Sequence, residues 1–203
     1  FVALENFAAL TDDPKFGHIG GAERQQVLIG KELAKRGYPV SFITLDYGQE
    51  REMEIDGMRI IKVYDQNVGI QVLRFLHPRL TSLWRAMRMA DADIYYQRTS
   101  DSITGIVAAF CRRRRRKFVF AVASNYECVI DLPHFSTRHE RVLYRYGLRG
   151  ANLVITQTAT QQKLLRENFG IKSTVIPNCA QDHGYSLGAV YATTPQRGKH
   201  LLW

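Results

Sequence analysis

Residues 17–26 read Gly17-His18-Ile19-Gly20-Gly21-Ala22-Glu23-Arg24-Gln25-Gln26, and they join a glycine-rich loop to the start of a helix, a connection typical of α/β proteins. Gly20 and Gly21 lack the Cβ atoms that would keep a ligand away from the backbone. A helix that begins here offers free N–H groups and the positive end of its dipole. The stretch predicts either an anion-binding loop or only a tight turn that lets the helix approach a sheet, and short glycine patterns leave both open.

The residues on either side of this loop indicate a strand–loop–helix unit. Apolar residues recur at helical spacing from Ala22 to Ala34, and Gly37 is placed to end the helix in a left-handed conformation. Residues 1–4 have the composition of the last part of a buried strand. Residues 5–16 are predicted to form a long loop of the kind that often lines a binding site.

Apolar runs alternate with helical patterns along the rest of the chain. Around Asp56-Gly57 the apolar residues alternate, which is the strongest short-range signal for a hairpin. The predicted strands cover residues 40–45, the hairpin 53–63, 93–97, 118–122, 153–156 and 174–176. The predicted helices cover residues 80–90, 103–110, 139–146 and 160–168. Strands separated by helices predict the α/β class, with a doubly wound, mostly parallel sheet and a small hairpin.

The composition indicates a globular protein and excludes disordered and fibrous classes. The 203 residues are 45% hydrophobic and 11% aromatic, enough to bury a core. A net charge of +9 favours anionic partners, which include phosphate-bearing substrates, acidic membranes and nucleic acid. No stretch approaches the ~20 apolar residues of a membrane span, and we expect a cytoplasmic protein. Three widely spaced cysteines predict free thiols.

Two further polar segments are candidate sites. The basic run is Arg112, Arg113, Arg114, Arg115, Arg116 and Lys117. It follows a predicted helix, so it is either a solvated helix end or an anionic-membrane patch. Ser124, Asn125 and Glu127 leave the carboxyl end of a predicted strand, the end that faces the ligand crevice in open α/β sheets, so they either contact a ligand's hydroxyl groups or form a polar loop with no ligand. His134 and His139 have no patterned Cys or carboxylate partner, so no metal site is expected.

The tail differs in composition from the rest of the chain. Residues 179–199 are polar and lack periodicity, which is typical of a linker, and residues 200–203 resemble the start of a strand. We therefore expect one domain over residues 1–178, followed over 179–203 by a linker and the first strand of an incomplete second domain. Because the first residue is Phe1, the sequence is expected to be a fragment.

Four segments in order resemble the N-terminal domain of family 4 (group 1) glycosyltransferases, the retaining enzymes with the GT-B fold. These segments are Gly20-Gly21-Ala22-Glu23-Arg24, residues 33–40 (Leu-Ala-Lys-Arg-Gly-Tyr-Pro-Val), Ile55-Asp56-Gly57-Met58-Arg59 and Val175-Ile176-Pro177-Asn178. Each is weak alone, but their shared order is fairly specific, and the resemblance covers nearly the whole chain. It implies two facing Rossmann-like domains, of which this is the acceptor side.

The resemblance also implies an activity and its ligands. A nucleotide-sugar donor would transfer its sugar with retention to a glycan or lipid-linked acceptor, without a metal or other cofactor. The glycine loop would lie against the donor diphosphate, which points to Gly20 and Gly21, with His18 and Arg24 beside them. A lipid-linked acceptor would place the protein at the inner face of the membrane.

The sequence departs from the family pattern in three ways. Ser124-Asn125 stands where many members have a His, so the role of that His cannot be transferred to this chain. Cys179 replaces the Gly that usually follows Pro-Asn at the crossover, the point where the chain passes into the second domain. The paired glutamates of the family's second domain have no place in these 203 residues. The chain alone is therefore expected to be inactive.

Two other function classes compete with this interpretation. A nicotinamide- or nucleotide-dependent enzyme of another kind is disfavoured, because neither G-x-G-x-x-G nor a Walker lysine motif occurs. A noncatalytic module that binds nucleotides or anionic membranes would rest on the basic run at 112–117, and no nucleic-acid partner is expected. A basic run on the side away from the strands' carboxyl ends would leave the cleft free for sugar chemistry.

Overall fold

A computed structural model describes residues 1–65 and 80–179. The helices are α1 Phe7–Thr11, α2 Gly21–Lys35, α3 Thr81–Ala90, α4 Ile103–Arg114, α5 Arg138–Gly150 and α6 Ala159–Phe169, with 3₁₀ turns at Pro14–Phe16 and Asn125–Cys128. The strands are β1 Ser41–Thr44, β2 Glu52–Ile55, β3 Met58–Lys62, β4 Ile94–Arg98, β5 Lys117–Ala121, β6 Leu153–Thr156 and β7 Thr174–Val175. Of the predicted tail, only Cys179 lies within the described residues.

The strands form two groups of parallel pairings with one antiparallel hairpin. β4, β5, β6 and β7 lie in that order and are all parallel, whereas β1 pairs parallel with β3 and β2 pairs antiparallel with it. Asp56 and Gly57 have φ of 51° and 74°, the conformation that a tight hairpin turn between β2 and β3 requires. The predicted parallel sheet and hairpin are confirmed.

Residues 1–3 join the two groups of strands. The Val2 N–H donates to Tyr96 O of β4 at 2.8 Å, while the Ile43 N–H of β1 donates to Phe1 O at 2.9 Å. The Ala3 N–H donates to Ile43 O at 3.1 Å. The segment therefore lies between β1 and β4, as the prediction of a buried first strand requires, and an isolated parallel bridge joins Val2 to Ile43.

The prediction of a long loop over residues 5–16 is wrong. α1 and a 3₁₀ turn occupy most of this segment, because the side chains of Phe7 and Leu10 are buried in one core cluster with Val27 and Phe42. Phe16 packs edge-on against Phe7 at a centroid distance of 4.9 Å. α1 contains only four apolar residues, which are too few to show a helical period in the sequence. The helix is therefore recognised from its tertiary contacts.

Two helix boundaries also differ from the predictions. α5 extends from Arg138 to Gly150, and it starts at a capping box in which Thr137 and Glu140 bond reciprocally. α4 starts at Ile103 as predicted but continues to Arg114, so its last turn includes the first arginines of the basic run.

Glycines set how closely the helices approach their neighbours. A Cβ on Gly30 of α2 would lie 2.6 Å from the Phe42 ring of β1, so α2 rests directly on the sheet. A Cβ on Gly105 of α4 would lie 2.6 Å from Leu143 O of α5, and a Cβ on Gly147 of α5 would lie 2.5 Å from Thr104 C of α4. The backbones of the two helices are therefore in direct contact. Gly37, at φ 84°, ends α2 as predicted.

Three smaller predictions have clear outcomes. Cys111 and Cys128 are buried free thiols and Cys179 is an exposed one, which confirms the cysteine prediction. Among residues 1–65 and 80–179, no helix combines the length and the apolarity that a membrane span needs. α6 ends at Gly170 in a left-handed conformation, as its sequence predicts.

Candidate functional site

A cleft of about 380 Å³ lies at the carboxyl end of β4, beside α2. Its walls come from residues 2–6, Glu23 and Gln26 of α2, Tyr64 and residues 97–101. In open α/β sheets, ligands bind at this edge, where the carboxyl ends of parallel strands meet the starts of helices. The position is therefore that of a binding site.

Three polar side chains that line the cleft are buried. Gln26 and Gln97 are each 2% exposed and Arg98 is 8% exposed. Gln26 Oε1, Gln97 Oε1 and Arg98 Nε have no hydrogen-bond partner among the described protein atoms. Buried polar atoms normally find a partner, because leaving one unpaired costs about 1–3 kcal/mol. Arg141 Nε, Arg145 Nε and Ser173 Oγ are also unpaired among the described residues, so the position of the cleft, and not these atoms alone, makes it the candidate site.

An amide network fixes the orientation of Gln26. Its Nε2 donates to Asn6 Oδ1 at 3.1 Å, and Asn6 Nδ2 donates in turn to Glu23 O at 3.2 Å. Because the Asn6 amide is oriented by a carbonyl acceptor, the Gln26 amide cannot be reversed without losing a bond. Oε1 of Gln26 is therefore held as the unpaired atom.

A second network connects Arg98 to the chain after β7. Arg98 Nη2 donates to Asn178 Oδ1 at 2.9 Å, and Asn178 Nδ2 donates to Gln157 Oε1 at 2.8 Å. Gln157 Nε2 donates to the carbonyl oxygens of Val122 and Ala123, both at 2.8 Å. The guanidinium is thus fixed through the predicted crossover residue Asn178 to the end of β5.

The same crossover is bound to α2. The Cys179 N–H donates to Gln25 Oε1 at 2.9 Å, and Gln25 Nε2 donates to Cys179 O. Cys179 therefore contacts the first helical turns of α2, close to the glycine loop. Through these bonds Asn178 and Cys179 hold the end of the described chain against β4 and α2, at the edge of the sheet where the cleft opens.

A buried carboxylate lies behind the cleft. Glu127 is 2% exposed, and its two oxygens accept from the N–H groups of Ser100 and Ala123 at 3.3 and 2.9 Å. Burial raises the pKa of Glu127 to about 7, against the opposing effect of these two bonds and of Arg98. Ser100 Oγ lies 2.6 Å from His134 Nε2, and partial burial lowers the pKa of His134, which is exposed at the surface.

The predicted glycine-loop residues are exposed around the start of α2. His18, Gly21 and Arg24 are exposed, and a Cβ at Gly21 would meet no atom within 4 Å. Gly20 is the cap residue at φ −90°, so no left-handed conformation requires a glycine there. A Cβ at Gly20 would lie 2.5 Å from Glu23 Oε2, so the Glu23 carboxylate folds over the loop.

The predicted acceptor-loop residues separate into two groups. Asn125 is exposed and Ser124 is half-buried, whereas Glu127 is buried and bonded to backbone N–H groups. The structure thus places the Glu127 side chain under the loop, where it joins the loop to the residues after β4. Ser124 and Asn125 remain the residues of this group that a ligand could reach.

The basic run lies at the opposite edge of the sheet from the cleft. α4 ends at Arg114, Arg115 is left-handed at φ 56°, and Lys117 begins β5. Arg112, Arg113, Arg114, Arg115 and Lys117 are exposed. Arg116 binds Asp91 and Asp93 at 2.7 and 2.5 Å. The run therefore leaves the cleft at the carboxyl ends of the strands free.

Sequence reasoning missed Gln26, Gln97 and Arg98 as candidate site residues. The available signal was a polar residue at a position that the pattern assigns to the core. Gln26 lies one position before Val27 on the buried side of α2, and Gln97-Arg98 ends an otherwise apolar strand. A buried polar side chain needs partners, and one polar atom of each of these three side chains has none among the described residues.

The family model for Glycosyltransferase Family 4 matches residues 19–181, well over half of the chain. The chain belongs to glycosyltransferase family 4. Among solved structures, it is similar to a sucrose-phosphate synthase from Thermosynechococcus elongatus, with 15% identity, a TM-score of 0.51 and coverage of 78% of this chain and 84% of that one. The comparison with curated proteins yields no match.

Membership of this family confirms the resemblance inferred from the four sequence segments. The structural likeness supports the Rossmann-like half of a GT-B fold, and its low identity limits it to the fold. The domain is therefore that of a glycosyltransferase, whose substrates are a sugar donor and an acceptor. The cleft at the carboxyl end of β4 is the candidate for one of their sites.

Proposed function

We propose that this chain is the acceptor-side domain of a retaining glycosyltransferase. The enzyme transfers a sugar from a nucleotide-sugar to a glycan or lipid-linked acceptor, together with a second domain that holds most of the donor. The observation that carries the proposal is the cleft at the carboxyl end of β4, which is lined by the buried polar residues Gln26, Gln97 and Arg98. Family membership supplies the reaction class.

The start of α2 is proposed to face the donor diphosphate. The first intrahelical bond runs from Arg24 N to Gly20 O, so the N–H groups that precede it are available to an anion. The open space at Gly21 and the exposure of His18 and Arg24 support this role. The Glu23 carboxylate, which folds over Gly20, must turn away when a diphosphate binds, because two anions repel at this distance.

The transfer is proposed to need no metal. A departing diphosphate requires compensation of its negative charge, and helix N-termini together with cationic side chains supply it in a low-dielectric site. In this domain the dipole of α2 and the side chains of Arg24 and His18 are placed to contribute. Ser124 and Asn125 are proposed to contact the acceptor from the loop after β5.

The test is a turnover assay on the full-length protein with a panel of nucleotide-sugars and of neutral, phosphorylated and lipid-linked acceptors. We expect glycoside formation that persists in EDTA, with the anomeric configuration of the donor retained in the product by NMR. Hydrolysis or transfer that occurs only with inverted configuration would contradict retention. Failure of every donor and acceptor pair to react would contradict the function itself.

A peripheral membrane contact is proposed as a second function of the same domain. Arg112, Arg115, Lys117 and Arg149 line a hollow of about 500 Å³ at the amino edge of the sheet, and no carboxylate is among the described residues that line it. Each cation near an acidic lipid surface contributes about 1 kcal/mol. A lipid-linked acceptor would then be met at the inner face of the membrane, with the protein in the cytoplasm.

A further inference from the structure

The hollow of about 500 Å³ at the amino edge of the sheet lies where α4 and α5 end. Small residues line it where the two helices meet, since a Cβ on Gly150 would lie 3.0 Å from Ala108 Cβ and both residues belong to its lining. Longer side chains from both helices and from the start of β5 surround this space. They include Arg112, Arg115, Lys117, Tyr146 and Arg149.

The protein itself does not engage most of the cations of the hollow. Four of them are exposed and can be reached by a ligand: Arg112, Arg115, Lys117 and Arg149. Among residues 1–65 and 80–179, no ion pair or hydrogen bond engages any of these four side chains. The remaining cation, Arg116, is bound to Asp91 and Asp93. An anion in the hollow would therefore meet four free cations without displacing an internal partner.

The end of α4 does not by itself account for these cations. Cations near a helix C-terminus complement its dipole. Two of the last carbonyls of α4 are nevertheless bonded within the backbone, because Arg115 N and Arg116 N donate to Arg112 O and Cys111 O at 3.4 and 2.9 Å. Arg115 lies beyond the helix at φ 56°, a conformation that favours glycine or asparagine. An arginine at such a position indicates a role for its side chain.

The chemistry of the free cations matches a phosphate group. A guanidinium pairs two phosphate oxygens through its planar fork, and such charge-assisted bonds are about twice as strong as neutral ones. Three of the four free cations are arginines. A phosphate monoester has three free oxygens and up to two negative charges, so it can pair with more than one guanidinium. A diester has two free oxygens and one charge, so the hollow should favour the monoester.

Exposed apolar groups on α5 favour a lipid as the source of this phosphate. Val142 and Tyr146 lie one turn apart on the same side of α5 and are 63% and 40% exposed. Tyr146 also lines the hollow. Apolar and aromatic residues beside cations are typical of surfaces that enter the headgroup region of a membrane. A soluble phosphate would leave these apolar groups in water.

We propose that the hollow binds the phosphate monoester of an anionic lipid headgroup and that Val142 and Tyr146 contact the lipid interface beside it. The inference rests on the proposed membrane contact and adds to it a defined site and a ligand class. The four free cations of the hollow bind the phosphate oxygens. Because the hollow lies at the opposite edge of the sheet from the cleft, it holds the domain at the membrane without occupying the cleft.

The experiment uses the full-length protein and phosphatidylcholine vesicles that contain phosphatidic acid, a monoester, or phosphatidylserine, a diester, at matched zeta potential. Arg115→Gly with Arg149→Ser removes two cations of the hollow, and glycine keeps the left-handed backbone at position 115. Arg113→Ser with Arg114→Ser is the matched control, because it removes the same charge from exposed neighbours that do not line the hollow. Calorimetry with glycerol 3-phosphate, melting temperatures and sugar transfer are measured for every protein.

We expect the wild type to bind phosphatidic acid vesicles roughly tenfold more tightly than phosphatidylserine vesicles, because the monoester makes more charge-assisted bonds. The hollow variant should lose this preference, whereas the control should bind both vesicles more weakly and keep it. Val142→Ser should weaken vesicle binding without changing the affinity for glycerol 3-phosphate. Tyr126→Ser, which shortens an exposed side chain in the turn after β5, should change neither.

Several outcomes would overturn the inference. No preference in the wild type, or an equal loss of it in both double variants, would mean that the membrane contact is diffuse and that the hollow is not a site. Glycerol 3-phosphate binding as tight as vesicle binding would assign the hollow to a soluble phosphate, and tighter binding of a DNA duplex would assign it to nucleic acid. Binding to no anionic vesicle would remove the membrane contact as well, while the transfer assay tests the glycosyltransferase function separately.

Discussion

Arg98 Nη2 lies 2.9 Å from Asn178 Oδ1, although the two residues are 80 positions apart in sequence. The bond joins the carboxyl end of β4 to the residue that follows Pro177, where the chain leaves the sheet. Because Asn178 is itself held by Gln157, the guanidinium of Arg98 is fixed by residues that do not line the cleft. Asn178 is thus a positioning residue for Arg98.

Asn178→Ala should raise the acceptor KM roughly tenfold, because a hydrogen bond to a charged group is worth ~1.5–3 kcal/mol and its loss frees the guanidinium. Asn178→Asp keeps an oxygen acceptor for Arg98 and should stay within about threefold of the wild type. Steady-state kinetics of both variants check this. An equal rise in KM for the two would show that Asn178 acts through Gln157 and not through Arg98.

Glu127 should make the free energy of unfolding fall as pH rises from about 4.5 to about 7. Its pKa is raised from 4.5 to about 7 by burial, so in this range the unfolded chain loses a proton that the folded chain keeps. The difference favours the unfolded state increasingly with pH and amounts to about 3 kcal/mol when complete. Above pH 7 the contribution of Glu127 is constant.

The control for this prediction is Glu127→Gln, which cannot ionise. It loses one backbone hydrogen bond at every pH, so it should be less stable than the wild type in acid, and the gap should shrink as pH rises to 7. Urea unfolding of both proteins between pH 4.5 and 8 gives the difference between their free energies of unfolding. The titration of His134 and of other groups contributes equally to both proteins and cancels in this difference. A gap independent of pH would contradict the raised pKa.

Local signals predicted much of the fold because they need no partner elsewhere. The Asp56-Gly57 turn is specified by its own positive φ angles, and the Gly37 helix end likewise, so both were predictable from sequence. Gly105 and Gly147 are different. A glycine is needed at these positions because α4 and α5 are in contact there. The hydrophobic periodicity of each helix does not show which residues face the other helix so closely.

The cleft shows the same limit for function. Gln26 and Gln97 are unremarkable polar residues in sequence, and their role depends on burial by residues of other elements. Glu127 is predicted to lie where an acceptor could bind because its loop leaves the carboxyl end of a strand, and its buried carboxylate accepts from the N–H of Ser100, 27 residues earlier. Such roles follow from tertiary geometry, which a single sequence does not display.

Gly147→Ala should destabilise the fold by about 1–3 kcal/mol, since a new methyl group forces two backbones apart. Its Cβ would lie 2.5 Å from Thr104 C, whereas a Cβ at Gly150 of the same helix would lie 3.0 Å from the Ala108 side chain. Gly150→Ala is therefore the matched control and should cost less. Thermal unfolding of both variants checks the order, and an equal loss would contradict the backbone contact.

Gly21→Val should reduce kcat/KM for the donor by tenfold or more while changing stability little. The site is open to solvent and is not left-handed, so the substitution costs only ~0.5–1 kcal/mol in helix propensity. A blocked diphosphate would lose charge-assisted hydrogen bonds worth more than that. Gly37→Val is a control for a purely structural effect, because Gly37 has a φ of 84° that valine rarely adopts. It should lower the melting temperature without a specific loss of kcat/KM for the donor. Wild-type kinetics in Gly21→Val would exclude contact between this residue and the donor.

The basic run should bind anionic membranes through its exposed cations and not through Arg116, whose guanidinium is occupied by Asp91 and Asp93. Changing Arg113, Arg114 and Arg115 together to Ser should weaken binding to phosphatidylserine vesicles roughly a hundredfold, at about 1 kcal/mol per cation. The charge-matched control changes Lys15, Arg138 and Lys163 to Ser, which removes the same net charge from other parts of the surface. Cosedimentation at two salt concentrations distinguishes the two variants. If both lose the same affinity, the net charge of +9 is sufficient to explain membrane binding and the run has no specific role.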